Sequence, residues 1–154
     1  MKKTGVFATF KIIHSAMLIG QVLFIAILVY LAYHKTFAQG FTSLDKILQI
    51  IAIAFAATAF FWGINIFKKR LLLIRESRAG NVKEMFDKYR QASIIQWAML
   101  EGASLFCGIS FFCTGNYAFL ALAAVLIILF ALQAPIKSKT ALQLGLGIAD
   151  VEGL

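Results

Sequence analysis

One carboxylate in this chain stands where a carboxylate is costly. Glu101 precedes 35 residues without a charged side chain and lies about nine residues into an apolar run that begins near Ala92. At a helical rise of 1.5 Å per residue this places it about 13 Å in, close to mid-membrane. A charge there costs about 2.5–3.5 kcal/mol on insertion scales, so Glu101 is expected to face a helix bundle, to be protonated or to pair with a donor. Two uses fit. One is a proton or cation site, or a pocket for a cationic or amide-bearing ligand. The other is structural: a hydrogen bond to Gln21 or His14 on a neighbouring helix would fix the register, as buried polar residues do in coiled coils. Other polar residues gather toward the same side. His14 and Gln21 lie seven apart, Asn65 and Gln133 fall near the ends of two further apolar runs, and Arg90 precedes Glu101 by eleven residues on nearly the same face. Together they predict a polar intramembrane cluster opening to one side. Thr58, Cys107 and Ser110 are almost all that the other half offers. A water path across the whole membrane is therefore not expected.

No other chemistry is encoded. Two histidines without a nearby acidic pair make neither a metal nor a haem site, and no cofactor is expected. Cys107 and Cys113 are six residues apart, about 120° around a helix, so they read as apolar packing residues rather than a disulfide. No nucleophile triad or phosphate loop is present, so no enzyme is expected.

The elements that must position Glu101 follow from the spacing of charges. The chain of 154 residues is 61% hydrophobic and 14% charged, with a mean hydropathy of +0.85. No charge falls between Lys11 and His34, between Lys46 and Lys68, or between Glu101 and Lys137. Since about 20 apolar residues cross the hydrocarbon, these runs predict transmembrane helices. The third run is too long for one span and divides at Thr114-Gly115-Asn116, which is turn chemistry. The prediction is an all-α integral membrane domain with spans over 12–33, 47–67, 92–113 and 117–134. A membrane β-barrel would need alternating segments, and there are none. Met-Lys-Lys before an apolar run also resembles the opening of a signal peptide, but the run is longer than an h-region.

Of fifteen Lys and Arg, thirteen lie before span one, between spans two and three, or after span four. The positive-inside rule then places both termini and the central loop in the cytoplasm. The net charge of +8 orients the chain and meets anionic lipid headgroups at the basic loop. Nucleic acid is not an expected partner.

The spans also repeat. Residues 12–24 align without gaps on 94–106 with eight of thirteen positions identical, including Ala-Met-Leu-x-Gly-x-x-Leu-Phe in both. This predicts two duplicated helical hairpins, 12–67 and 92–134, in parallel orientation. Each copy carries a small-xxx-small pair, Ala16 with Gly20 and Ala98 with Gly102, expected to let helix backbones approach. Between the hairpins, 68–91 reads as a basic cytoplasmic linker. Its helix is expected to stop at Arg78-Ala79-Gly80 and restart after Asn81, with Asn81 and Glu84 as a capping box. Val82, Met85, Phe86 and Tyr89 then share one face, so this helix is expected to lie on the membrane surface or to dock a partner. Trp97 is read as an interfacial anchor. Residues 135–154 form a cytoplasmic tail without further assignment.

Two hairpins with one embedded carboxylate resemble the proteolipid subunits of rotary ATPases in architecture only, since those carry the carboxylate on the second helix of a hairpin. Small multidrug-resistance transporters also have four spans and one buried Glu, but in the first span. Ala98-Met99-Leu100-Glu101-Gly102-Ala103-Ser104-Leu105-Phe106, followed by Thr114-Gly115-Asn116, resembles uncharacterised bacterial four-helix membrane proteins. That resemblance implies a bacterial inner membrane and no activity. The expected function is a non-enzymatic membrane protein, a small subunit or homo-oligomer organised around Glu101, within the bilayer or beside other membrane subunits. The alternative is a small proton- or cation-coupled carrier using Glu101.

Overall fold

A backbone that leaves water must satisfy its own N–H and C=O groups, and an apolar run does so by winding into a helix. The structure, a computed structural model, describes residues 5–34, 44–77 and 81–152, and these form helices joined by turns. They are α1 (Val6–Tyr33), α2 (Asp45–Glu76), α3 (Val82–Thr114), α4 (Tyr117–Ala131), α5 (Lys137–Leu144) and α6 (Ile148–Glu152). The first three, of 28, 32 and 33 residues, are long and apolar enough to cross a membrane. At 1.5 Å per residue they measure about 42, 48 and 50 Å, more than the roughly 30 Å of hydrocarbon, so their ends extend beyond it. Ile19, Leu23, Ile27, Ile50, Phe61 and Trp62 are all more than half exposed. Such surfaces suit lipid.

α4 is shorter than its expected 117–134. Its α pattern ends at Ala131, and Gln133 N–H to Phe130 O and Ala134 N–H to Ala131 O continue it as a tighter turn. Pro135 explains the stop, because the residue before a proline is pushed out of the helical region. At the other end, the turn foreseen at Thr114-Gly115-Asn116 is present. Gly115 takes φ 72° and closes α3, and the Asn116 side chain accepts from Ala118 N–H at 2.9 Å to cap α4. The Asn116 amide also donates to both oxygens of Asp45, at 3.0 and 2.8 Å, tying this turn to the start of α2.

The segment before span three is not a separate surface helix. Asn81 does cap it, accepting from Lys83 N–H at 3.4 Å, while Glu84 pairs with Lys88 at 2.8 Å instead of completing a capping box. From Val82 the helix then runs unbroken to Thr114, since no Gly or Pro interrupts 82–101. Its apolar face finds protein instead of a membrane surface: Met85, Phe86 and Tyr89 are buried, with Phe86 ring to ring against Phe7 and Phe10 at 6.0 and 5.7 Å. The helix stop expected at Arg78-Ala79-Gly80 lies outside the described residues.

α3 is the hub, with α1, α2 and α4 each packed along it, whereas α1 and α2 hardly meet. The first pair of spans therefore does not pack as a hairpin, although α3 and α4 do. Nor do the repeated small pairs bring the helices together. Ala16 and Ala98 are exposed, and a Cβ at Gly20 or Gly102 would meet nothing within 4 Å. Other small residues do that work. On α2, Ala52, Ala56, Ala59 and Gly63 recur every three or four residues and are buried, and a Cβ on Gly63 would lie 3.5 Å from Gln96 Cγ. On α3, a Cβ on Gly108 would come within 3.2 Å of Ile25 Cγ1 and 3.3 Å of Leu28 Cδ1, so α1 seats on its backbone.

The tail folds back on the bundle. Ala141, Leu144 and Val151 are buried, and the Arg75 guanidinium donates to Gln143 O at 2.6 Å and Leu142 O at 3.0 Å. These are carbonyls of the last turn of α5, where a cation complements both the unpaired acceptors and the helix dipole.

Candidate functional site

The six residues expected to form one polar cluster occupy several separate environments. His14 is buried in α1. Its ring stacks on Phe130 with centroids 4.8 Å apart and meets Trp97 edge to face at 4.7 Å. Its Nε2 lies 3.1 Å from Phe130 O. A carbonyl only accepts, so Nε2 carries the proton and donates. Trp97 is itself 2% exposed and stacked on Phe10 at 4.9 Å, so it is a core residue and not the interfacial anchor its sequence position suggested.

Gln21, two turns along α1, is fully buried, and its Oε1 accepts from Ser104 Oγ at 2.8 Å. The same hydroxyl lies 2.9 Å from Glu101 O. Ser104 was not among the residues singled out from sequence. The signal was available: Ser93, Trp97, Ser104 and Phe111 recur at sevens and elevens or nearly so, which puts them on one face of α3.

Glu101 does not join these groups. Its side chain forms no hydrogen bond or ion pair among the described residues, and it is partly exposed. On α3 it borders the outward stripe of Ala98, Gly102, Leu105 and Ile109, of which Ala98 and Ile109 are exposed. The expected bonds to Gln21 or His14 are not made: His14 Nε2 donates to Phe130 O and the Gln21 oxygen accepts from Ser104, while the Gln21 amide nitrogen is buried without a partner among the described residues. Arg90 pairs with Asp87 at 3.2 Å, one turn away on its own helix. Eleven residues separate it from Glu101, about 16 Å along the axis, beyond the reach of its side chain. Asn65 is exposed on α2, beside Thr58, Phe61 and Trp62.

Gln133 belongs to a different feature, a cavity of about 300 Å³ between the ends of α2, α3 and α4 and the start of the tail. Lys68, Tyr89, Ser93, Gln96, Lys139 and Gln143 supply its other polar groups, and Phe67 and Trp97 its aromatic walls. Tyr89 OH donates to Gln143 Oε1 at 2.7 Å and Ser93 Oγ to Tyr89 O at 3.0 Å, while Gln133 Oε1 is buried without a partner. A polar cavity near this end of the bundle was expected, but its lining was not. The residues from the tail could not be placed before the fold was known.

Among the described residues no group of three or more His, Cys, Asp or Glu is arranged to hold a metal, and both cysteines are free thiols. No family model matches the chain, and neither do the curated proteins or the solved structures.

Proposed function

We propose that this chain is a non-enzymatic protein of the bacterial inner membrane, crossing four times with both termini in the cytoplasm, that assembles with a second copy of itself around Glu101. The observation that carries the reading is the position of Glu101: partly exposed at the border of an outward stripe of α3 and without a partner among the described residues. A membrane-embedded carboxylate is expected to face protein or water and to pair. A second chain supplies what this one leaves open. Ala98 and Gly102 beside Glu101, like Ala16 and Gly20 on α1, leave the backbone open to another helix, and lipid-embedded helices associate through such small residues. The parallel repeat and the charge asymmetry support the orientation, since both halves then insert the same way.

Native mass spectrometry from mild detergent should show a homo-oligomer, and Glu101→Gln should shift it toward monomer while leaving the helical content unchanged. A strictly monomeric protein would overturn the reading, as would a Glu101→Gln protein that associates like the parent. The rival, a proton-coupled carrier using Glu101, places the carboxylate at a solvated cavity, whereas the polar cavity is lined by other residues. It calls for proton movement in reconstituted vesicles that Glu101→Gln abolishes.

A further inference from the structure

The cavity beside Gln133 is left unused by an assembly organised around Glu101. It lies where the apolar part of α2 ends at Phe67 and the basic run Lys68-Lys69-Arg70 begins, and where α4 gives way to Pro135. On the proposed four-span reading, that is the depth of a headgroup layer. Lys68 and Lys139, from α2 and α5, both border it, and among the described residues no carboxylate does. Two ammonium groups on one concave surface, with no acid between them, select an anion. Neither lysine has an acidic partner within ion-pair distance among the described residues.

The neutral groups narrow the anion further. Ser93 and Gln96 offer short polar contacts on the α3 wall, and the Gln133 amide oxygen is buried without a donor. An unpaired buried acceptor is costly, and a ligand hydroxyl would relieve that cost. The aromatic and aliphatic walls, Phe67, Trp97, Ile64 and Leu71, accept an apolar body. A phosphate ester alone would satisfy the lysines and leave Gln133 unpaired, and a neutral polyol would do the reverse.

We propose that this cavity binds a phosphate ester carrying a free hydroxyl, with the phosphate between Lys68 and Lys139 and the hydroxyl donating to Gln133 Oε1. The depth makes the phosphoglycerol headgroup of an anionic lipid the first source, and a soluble glycerol phosphate the second.

Trp97 lines the site, and Trp62 is the only other tryptophan. In a Trp62→Phe protein, Trp97 emission therefore reports occupancy. Nanodiscs with increasing phosphatidylglycerol in phosphatidylcholine should produce a saturable change, and phosphatidylcholine alone none. Lys68→Gln with Lys139→Gln should weaken the response about thirtyfold, from roughly 1 kcal/mol per cation. Lys68→Arg with Lys139→Arg should restore most of it, which guards against a folding defect. Lys83→Gln with Lys88→Gln, equal in charge but away from the cavity, should leave it unchanged. Gln133→Leu should reduce the preference for phosphatidylglycerol over phosphatidic acid, which lacks the hydroxyls. Saturation by soluble glycerol 3-phosphate in phosphatidylcholine discs would support the site and assign the free ester as its source. No saturable change with either ligand, or equal losses from the cavity and control pairs, would overturn the proposal. Since Glu101→Gln should leave this binding intact, its result is separable from that of the assembly reading.

Discussion

Gly108 and Gly102 stand six residues apart on α3 and have opposite surroundings. A Cβ on Gly108 would press into Ile25 and Leu28, while one on Gly102 would meet nothing within 4 Å. The polar residues divide the same way. Ser104 is buried and bonded to Gln21 across the helix interface, whereas Glu101, one turn earlier, is partly exposed and its side chain has no partner among the described residues. One side of α3 is thus packed within the chain, with its small residues filled and Ser104 bonded to the Gln21 oxygen, while the Gln21 amide nitrogen is buried without a partner among the described residues. On the other side, small and polar residues of the same kinds are left open. A small-xxx-small pair or a membrane carboxylate thus identifies a surface suited to protein, without saying whose protein covers it.

The inner side should be the more sensitive to substitution. Gly108→Leu forces a side chain into a closed contact, and overpacking of this kind costs about 1–3 kcal/mol. Unfolding in mixed micelles should show a loss near the upper end of that range, with α1 the first element to lose protection from hydrogen exchange. A neutral outcome would mean that α1 does not seat on α3 at this glycine. Ser104→Ala should cost less, about 1–2 kcal/mol, because it leaves the fully buried Gln21 amide without its remaining bond. Gln21→Leu in the same background should recover most of that loss, since apolar groups can replace a buried polar pair at little cost.

The outer side should respond least. Gly102→Leu is expected to change protomer stability by no more than about 0.5 kcal/mol, as at other surface positions away from packed features. Its effect should appear in self-association instead. A large destabilisation from Gly102→Leu in monomeric protein would erase the contrast between the two sides.

Much of this fold can be read from residue types. The charge-free runs locate the apolar helices, and Thr114-Gly115-Asn116 marks the α3–α4 turn because glycine accepts the positive φ and asparagine caps the next helix. Helix interfaces are less legible. In lipid an exposed apolar side chain carries no penalty, so the apolar pattern that reveals the core of a soluble protein is silent here, as it was for α2, apolar on every face. The continuity of Val82–Thr114 was obscured by an amphipathic pattern whose partner, the Phe7 and Phe10 pair, lies far away in sequence. The cavity was partly visible in Gln133, but Lys139 and Gln143 belong to a tail that docks by burying Ala141, Leu144 and Val151 and by Arg75 reaching the carbonyls of α5. The local sequence gives no sign of that contact.

Cysteine crosslinking in native membranes tests the assembly most directly. With Cys107 and Cys113 replaced by alanine, Ala98→Cys places a thiol on the open stripe beside Glu101, and Ala103→Cys places one at a position that is 0% exposed. Mild oxidation should convert the Ala98→Cys protein to a disulfide-linked dimer and leave the Ala103→Cys protein monomeric, and adding Glu101→Gln should reduce the dimer yield. An Ala98→Cys protein that stays monomeric, or one that crosslinks no better than Ala103→Cys, would contradict a second copy on the Glu101 face.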